Sequence, residues 1–205
     1  MDPVKTAVEA GGGVPPAAAE PADGTQTIRV WDPVIRLFHW TLVAAFVIAW
    51  MTGDEVQRLH EAAGYIIVGL VAARIVWGIV GTSHARFSDF VYRPSAVFRH
   101  LADALRFRSK RYLGHNPAGG AMIIALLVML SLICASGYAM TTDAFWGIAW
   151  VKDVHETAVN LTLVLIGLHL VGVGTASLEH RENLVRAMIT GRKRGSSGEG
   201  DHLLG

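Results

Sequence analysis

Two histidines, His155 and His169, sit in an apolar run that carries no formal charge between Glu156 and Glu179. Two more, His39 and His60, stand at the starts of other apolar runs. An imidazole in hydrocarbon is costly unless something satisfies it, and ionisable groups at membrane depth are usually functional. Its chemistry there is metal ligation or proton transfer. His155 and His169 are fourteen residues apart. On a helix that spacing is ~21 Å of rise and a return to within about 40° of the starting direction. One helix therefore offers two imidazoles on one face, at two depths. His60 and Arg74 are also fourteen apart, and share a face by the same geometry.

The elements that must position these groups are membrane spans. The chain has 205 residues, is 52% hydrophobic and has a mean hydropathy of +0.38. The apolar residues are clumped rather than spread, which favours a membrane protein over a soluble domain. The spans are expected at Val34 to Thr52, Ala62 to Val80, Gly119 to Met140 and His155 to Leu178, each of a length that suits a bilayer. Asp32-Pro33 and Asn116-Pro117 read as helix starts. Trp31 and Arg36 suit the interface. Pro94 to Phe107 reads as an interfacial amphipathic helix. Residues 1–27, rich in Ala, Gly, Pro and acidic groups, read as a disordered tail, and so do residues 195–205. Between them, 28–194 is one four-helix domain. The expected fold is an all-α membrane protein, a bundle of four transmembrane helices.

Charge sets the expected orientation. The connection from Gly81 to Ala118 holds Arg86, Arg93, Arg99, Arg106, Arg108, Lys110 and Arg111 against Asp89 and Asp103. The C-terminal segment holds Arg181, Arg186, Arg192, Lys193 and Arg194. The two short loops hold only Arg58 and Lys152. Basic segments stay inside, so both termini are expected in the cytoplasm of a multi-pass inner-membrane protein. The net charge of +1 gives no reason to expect a nucleic-acid partner.

With that topology the histidines sort by depth: His60 and His155 near the outer face, His39 and His169 near the inner one. Two opposed imidazole pairs in a bundle match two bis-histidine haem b sites, stacked across the membrane. One rival reading is four satisfied polar residues in a bundle. Another is a single four-histidine metal cluster, which the ~21 Å spacing disfavours. His60-Glu61 and His155-Glu156 resemble half of a zinc-protease motif, but Gly64 and Val159 stand where the second histidine belongs. Arg74 is a candidate partner for inner haem propionates or a quinone headgroup, with a snorkelling arginine as the rival. Arg36, one turn from His39, is a similar candidate. Gly53, Gly64, Gly69, Gly137, Gly167 and Gly172 could admit a porphyrin or a neighbouring helix. The single cysteine, Cys134, can form no disulfide or thiolate cluster within the chain and reads as a small core residue. His84, His100, His115, His180 and His202 fall in connections and tails and read as solvated or interfacial, with His115 a further quinone-contact candidate.

The segments RLFHW at 36–40, HEAAGY at 60–65, LVAARIVWGIVG at 70–81, LGHNPAGGAM at 113–122, HETAVN at 155–160 and GLHL at 167–170 resemble the prokaryotic cytochrome b561 family, which includes cytochrome b subunits of nickel-iron hydrogenases. The resemblance covers roughly residues 28–194. It implies a four-helix inner-membrane protein with two b haems, ligated from the first, second and fourth helices, matching His39, His60, His155 and His169. It also implies electron exchange between a periplasmic redox partner, such as a c-type cytochrome or dehydrogenase, and the quinone pool. Two other functions stay open. One is a stand-alone superoxide:ubiquinone oxidoreductase, like the superoxide-oxidising members of that family. The other is a haem-free membrane anchor. Against the first, the loops 53–59 and 141–154 hold Asp54, Glu55, Asp143 and Asp153 against Arg58 and Lys152. That balance favours a cationic protein partner over a small anion. The sequence leaves undecided whether the chain is an electron-transfer subunit or a quinone-linked oxidoreductase in its own right.

Overall fold

The fold is that of a computed structural model, which describes residues 27–29, 33–53, 55–81, 86–89, 91–106, 108, 116–179 and 183–194. Residues 1–26 and 195–205 of the tails expected to be disordered lie outside these residues, as do Trp31, Asp32, His84, His115, His180 and His202; Thr27, expected in the first tail, instead begins a short strand. Residues 27–194 form one compact unit. In chain order the elements are β1 (Thr27–Arg29), α1 (Pro33–Thr52), α2 (Gln57–Val80), a 3-10 turn (Phe87–Asp89), α3 (Pro94–Leu105), α4 (Pro117–Met140), α5 (Ala149–Glu179), α6 (Leu184–Thr190) and β2 (Arg192–Arg194).

Among the described residues four helices, α1, α2, α4 and α5, are long and apolar enough to cross a membrane. At ~1.5 Å per residue, the 20 residues of α1 already match a ~30 Å hydrocarbon layer. Their outward faces are the side chains lipid would cover: Leu37, Ile79, Val164 and Leu178 are all well exposed. The expected spans are present, and all four begin earlier than hydropathy alone marked, α1 by a single residue. α5 starts at Ala149, not at His155, because Trp150, Lys152 and Asp153 extend it past the apolar run. Lys152 and Glu156, four residues apart, pair at 3.3 Å on that extension. Asn116 caps α4 as expected, its side chain accepting from Gly119 N at 2.6 Å with Pro117 next.

Packing follows a chain of neighbours. α1 lies against α2, α2 against α4, and α4 against both α5 and α3. The core joins Ala45 and Ala49 of α1 to Ala63, Ile67 and Val71 of α2 and Leu130 of α4, with Leu42, Phe46 and Cys134 packed around it. Its three alanines fit a membrane bundle, where lipid gives helices no hydrophobic reason to associate and close backbone approach must supply the contact instead. Cys134 is a free, half-buried member of this core. α5 faces α4 with Val151, Ala158 and Thr162, all nearly fully buried. It makes at most marginal contact with α1 and α2.

α3 runs over Pro94–Leu105, close to the expected stretch, and packs on α4. Here one expectation is corrected. His100 is buried at 7% exposure rather than solvated, because it lies on the α3 face turned toward the bundle. At the chain ends β1 and β2 pair antiparallel, Thr27 with Arg194, Ile28 with Lys193 and Arg29 with Arg192.

Candidate functional site

His60 lies in the first turn of α2, and His155 nearly two turns into α5. Their helices barely touch, yet the two rings meet, centres 6.2 Å apart and planes at 71°. The far nitrogen of each ring is already held. His60 Nδ1 is 2.8 Å from the carbonyl of Ala49 on α1. His155 Nδ1 is 3.1 Å from the carbonyl of Ile133 and 3.1 Å from Ser136 Oγ, both on α4. A carbonyl only accepts, so in the neutral rings Nδ1 carries the proton and Nε2 offers its lone pair. Ser136 Oγ donates to Leu132 O at 2.7 Å, which orients its lone pairs toward His155. Such outer hydrogen bonds are what orient a metal-ligating imidazole and raise its basicity. Two imidazoles bonded to one metal from opposite sides, at about 2 Å per bond, have ring centres about 6 Å apart. The observed pair fits that requirement.

Glycines fit around these rings. A Cβ on Gly137 would lie 3.1 Å from His155 Cε1, and one on Gly53 would lie 3.6 Å from His60 Nδ1. At Gly64, Gly69, Gly167 and Gly172 a Cβ would meet no atom within 4 Å. Gly64 points about 40° from His60 and borders its face, while Gly69 points about 180° away, toward other surroundings. No neighbouring helix presses on these four.

The second pair is built differently. His39 is on α1 and His169 on α5, two helices that do not pack closely together. His39 Nδ1 is buried and has no hydrogen-bond partner among the described residues. Buried polar atoms are nearly always satisfied, so an imidazole nitrogen without a protein partner fits a ring that serves a non-protein group. Among the described residues no three His, Cys, Asp or Glu side chains converge on a point that could hold a metal. The donor set shown by His60 and His155 is a pair. A pair suffices only for a metal whose other ligands come with it, as in a porphyrin.

The two arginines separate. Arg74 is 6% exposed, with its guanidinium 5.0 Å over the ring of Phe87. It lies inside the fold rather than reaching for the interface. Arg36 turns to the C-terminal end of α6, where Nε donates to Met188 O at 3.3 Å and Nη2 donates to Ile189 O. Sequence reasoning missed the supporting groups: the carbonyls of Ala49 and Ile133, the hydroxyl of Ser136 and the close approach of Gly137. Two of these are backbone atoms that no residue type marks. Ser136-Gly137, a polar and a small residue side by side in an apolar span, is the one readable trace.

The family model described as prokaryotic cytochrome b561 matches residues 30–191. Among curated relatives, a probable Ni/Fe-hydrogenase B-type cytochrome subunit of Bradyrhizobium diazoefficiens is 23% identical over 95% of this chain and 98% of its own length. Its counterpart from Azotobacter chroococcum is 24% identical over 84% of this chain and 93% of its own. The probable Ni/Fe-hydrogenase 1 B-type cytochrome subunit of Escherichia coli is 23% identical over 60% of this chain and 63% of its own. No solved structure matches. Half-buried imidazoles carried by three of four helices long enough to cross a membrane, and a match over nearly the whole described chain, agree: the chain belongs to the prokaryotic cytochrome b561 family, as a haem-binding, electron-transferring membrane cytochrome b of the hydrogenase-associated kind.

Proposed function

We propose that this cytochrome holds two b-type haems, an outer one between His60 and His155 and an inner one between His39 and His169. We propose further that it passes electrons between a redox enzyme on the periplasmic face and the quinone pool. The observation that carries the reading is the outer imidazole pair, 6.2 Å between ring centres with both Nδ1 atoms tied back to the protein. Haem supplies one-electron exchange at iron. The chain supplies ligation, insulation and orientation. Two histidines would hold each haem, a donor set that suits electron transfer better than binding of a small molecule. Buried Arg74, fourteen residues along α2 from His60, suits the carboxylates of an inner porphyrin.

The printed names of the relatives make a nickel-iron hydrogenase the first partner to test. The proposed orientation has both termini in the cytoplasm and the loops after α1 and α4 outside. A self-sufficient superoxide site would need free cations at the outer face. Of the two outer-loop cations, Lys152 is paired with Glu156. That supports a docked protein partner over a small anion.

The test is a dithionite-reduced minus oxidised spectrum of purified protein, with haem counted per chain. Two low-spin b haems are expected, with His60→Ala and His169→Ala each removing one. A protein that stays colourless when haem is supplied during expression would refute the cytochrome reading of these histidines. Loss of both haems from a folded single variant would refute the pairing.

A further inference from the structure

His39 lies on α1 and His169 on α5, helices that do not pack closely on one another. Something other than direct helix contact must fix the distance between them. The ends of α1 and α5 nearest these residues are joined by a closed ring of short elements. α5 ends at Glu179, α6 follows and packs against it, and Gly191 ends α6 in the left-handed conformation at φ 78°. That turn sends the chain straight into β2, which pairs with β1, the strand that leads to α1. Arg36, in the first turn of α1, then reaches back to the carbonyls of Met188 and Ile189. These are last-turn carbonyls, which a helix leaves without internal partners and which carry the negative end of its dipole. A planar guanidinium can hold two of them at once, and a lysine ammonium or a glutamine amide matches that fork poorly.

From this geometry we infer that Arg36 is a positioning residue: it clasps α1 to α6 and thereby sets the His39–His169 spacing. His39 is three residues beyond Arg36, one turn on along the same side of α1. Pulling α1 toward α6 pulls His39 toward the helix that carries His169. The outer pair has no such dependence. His60 and His155 are held through Ala49, Ile133 and Ser136, on helices α1 and α4 that pack directly on α2 and α5. The inference rests on the two-haem reading above for its spectroscopic consequence, but its structural half stands without haem.

The experiment therefore has two arms, on Arg36→Gln and Arg36→Lys in the full chain. In the first, Cys134→Ala removes the native thiol, and Leu37→Cys with Leu178→Cys, both at well-exposed positions, take spin labels. The distance distribution across α1 and α5 is expected to be narrow with Arg36, broadened and longer with Gln, and partly restored with Lys. In the second arm, low-temperature electron paramagnetic resonance of the haem-loaded protein resolves the two low-spin ferric signals. Arg36→Gln is expected to broaden or shift the signal that His169→Ala removes and leave the signal removed by His60→Ala in place. An unchanged distance distribution overturns the clasp. Equal loss of both haem signals also overturns it, because that is general destabilisation. If His169→Ala removes no haem while the label distance still responds to Arg36→Gln, the clasp stands and the inner-haem reading fails.

Discussion

At the scale of single residues, the outer imidazoles are tuned by atoms that no histidine motif contains. His155 Nδ1 has two acceptors, Ile133 O and Ser136 Oγ, each at 3.1 Å. Removing one weakens the imidazole as a donor to iron and disfavours the ferric state. Ser136→Ala is therefore expected to raise the outer midpoint potential by on the order of tens of millivolts, since one hydrogen bond of two is worth ~1 kcal/mol at most. Potentiometric titration followed at the α-band measures it, and a fall would contradict the hydrogen-bond direction assigned here. Gly137 and Gly53 make a paired comparison. A methyl at Gly137 would press on His155 at 3.1 Å, where one at Gly53 would sit in ordinary contact at 3.6 Å. Gly137→Ala is expected to perturb the outer haem spectrum and Gly53→Ala to leave it near wild type. Equal effects would mean that ring crowding does not govern the site.

At the scale of elements, the sequence marked what hydropathy and residue type can mark. The four spans and the cap at Asn116 are where the reading placed them, because apolar length and Asn-Pro chemistry are local properties. The start of α5 was not legible. Lys152 and Asp153 look like loop to a hydropathy window, yet a helix leaving the hydrocarbon carries charge without stopping, and the Lys152–Glu156 pair supports it there. His155 consequently lies deeper in its helix than the apolar run indicated. The burial of His100 was equally hidden, since it depends on which face α3 turns to α4. α6 went unread because seven residues give too short a period to see, although Asn183 caps it by accepting from Arg186 N at 2.8 Å. Its exit is testable. Gly191 holds φ 78°, a conformation that costs other L-residues ~1 kcal/mol or more. Gly191→Val is expected to lower the thermal midpoint of the detergent-solubilised protein by a few degrees, and Gly191→Asn to lower it less, as followed by circular dichroism. Equal midpoints for all three proteins would remove the left-handed turn as a constraint.

At the scale of the whole molecule, the described chain is a string of neighbours, α1–α2–α4–α5, whose first and last members are not in close contact except through the short elements at the chain ends. The proposed sidedness belongs here. Reporter fusions at the C-terminus are expected to be active only in the cytoplasmic format, and fusions in the Thr141–Ile148 loop only in the periplasmic one. The reverse pattern would invert both haem levels. The cytoplasmic assignment follows from basic residues that sequence alone displays, whereas the neighbour order of the helices, with α1 and α5 at its two ends, needed coordinates.

α5 contributes one imidazole to each proposed site, on a single rod of 31 residues, ~46 Å long. Its tight seat on α4, at Val151, Ala158 and Thr162, lies in the half that holds His155. The half that holds His169 has no residue buried to that degree, and next to its end stand α6, the β1–β2 pair and the hydrogen bonds of Arg36. One rod is thus anchored in two different ways, by side-chain packing where His155 sits and by the chain's own closing turn beyond His169.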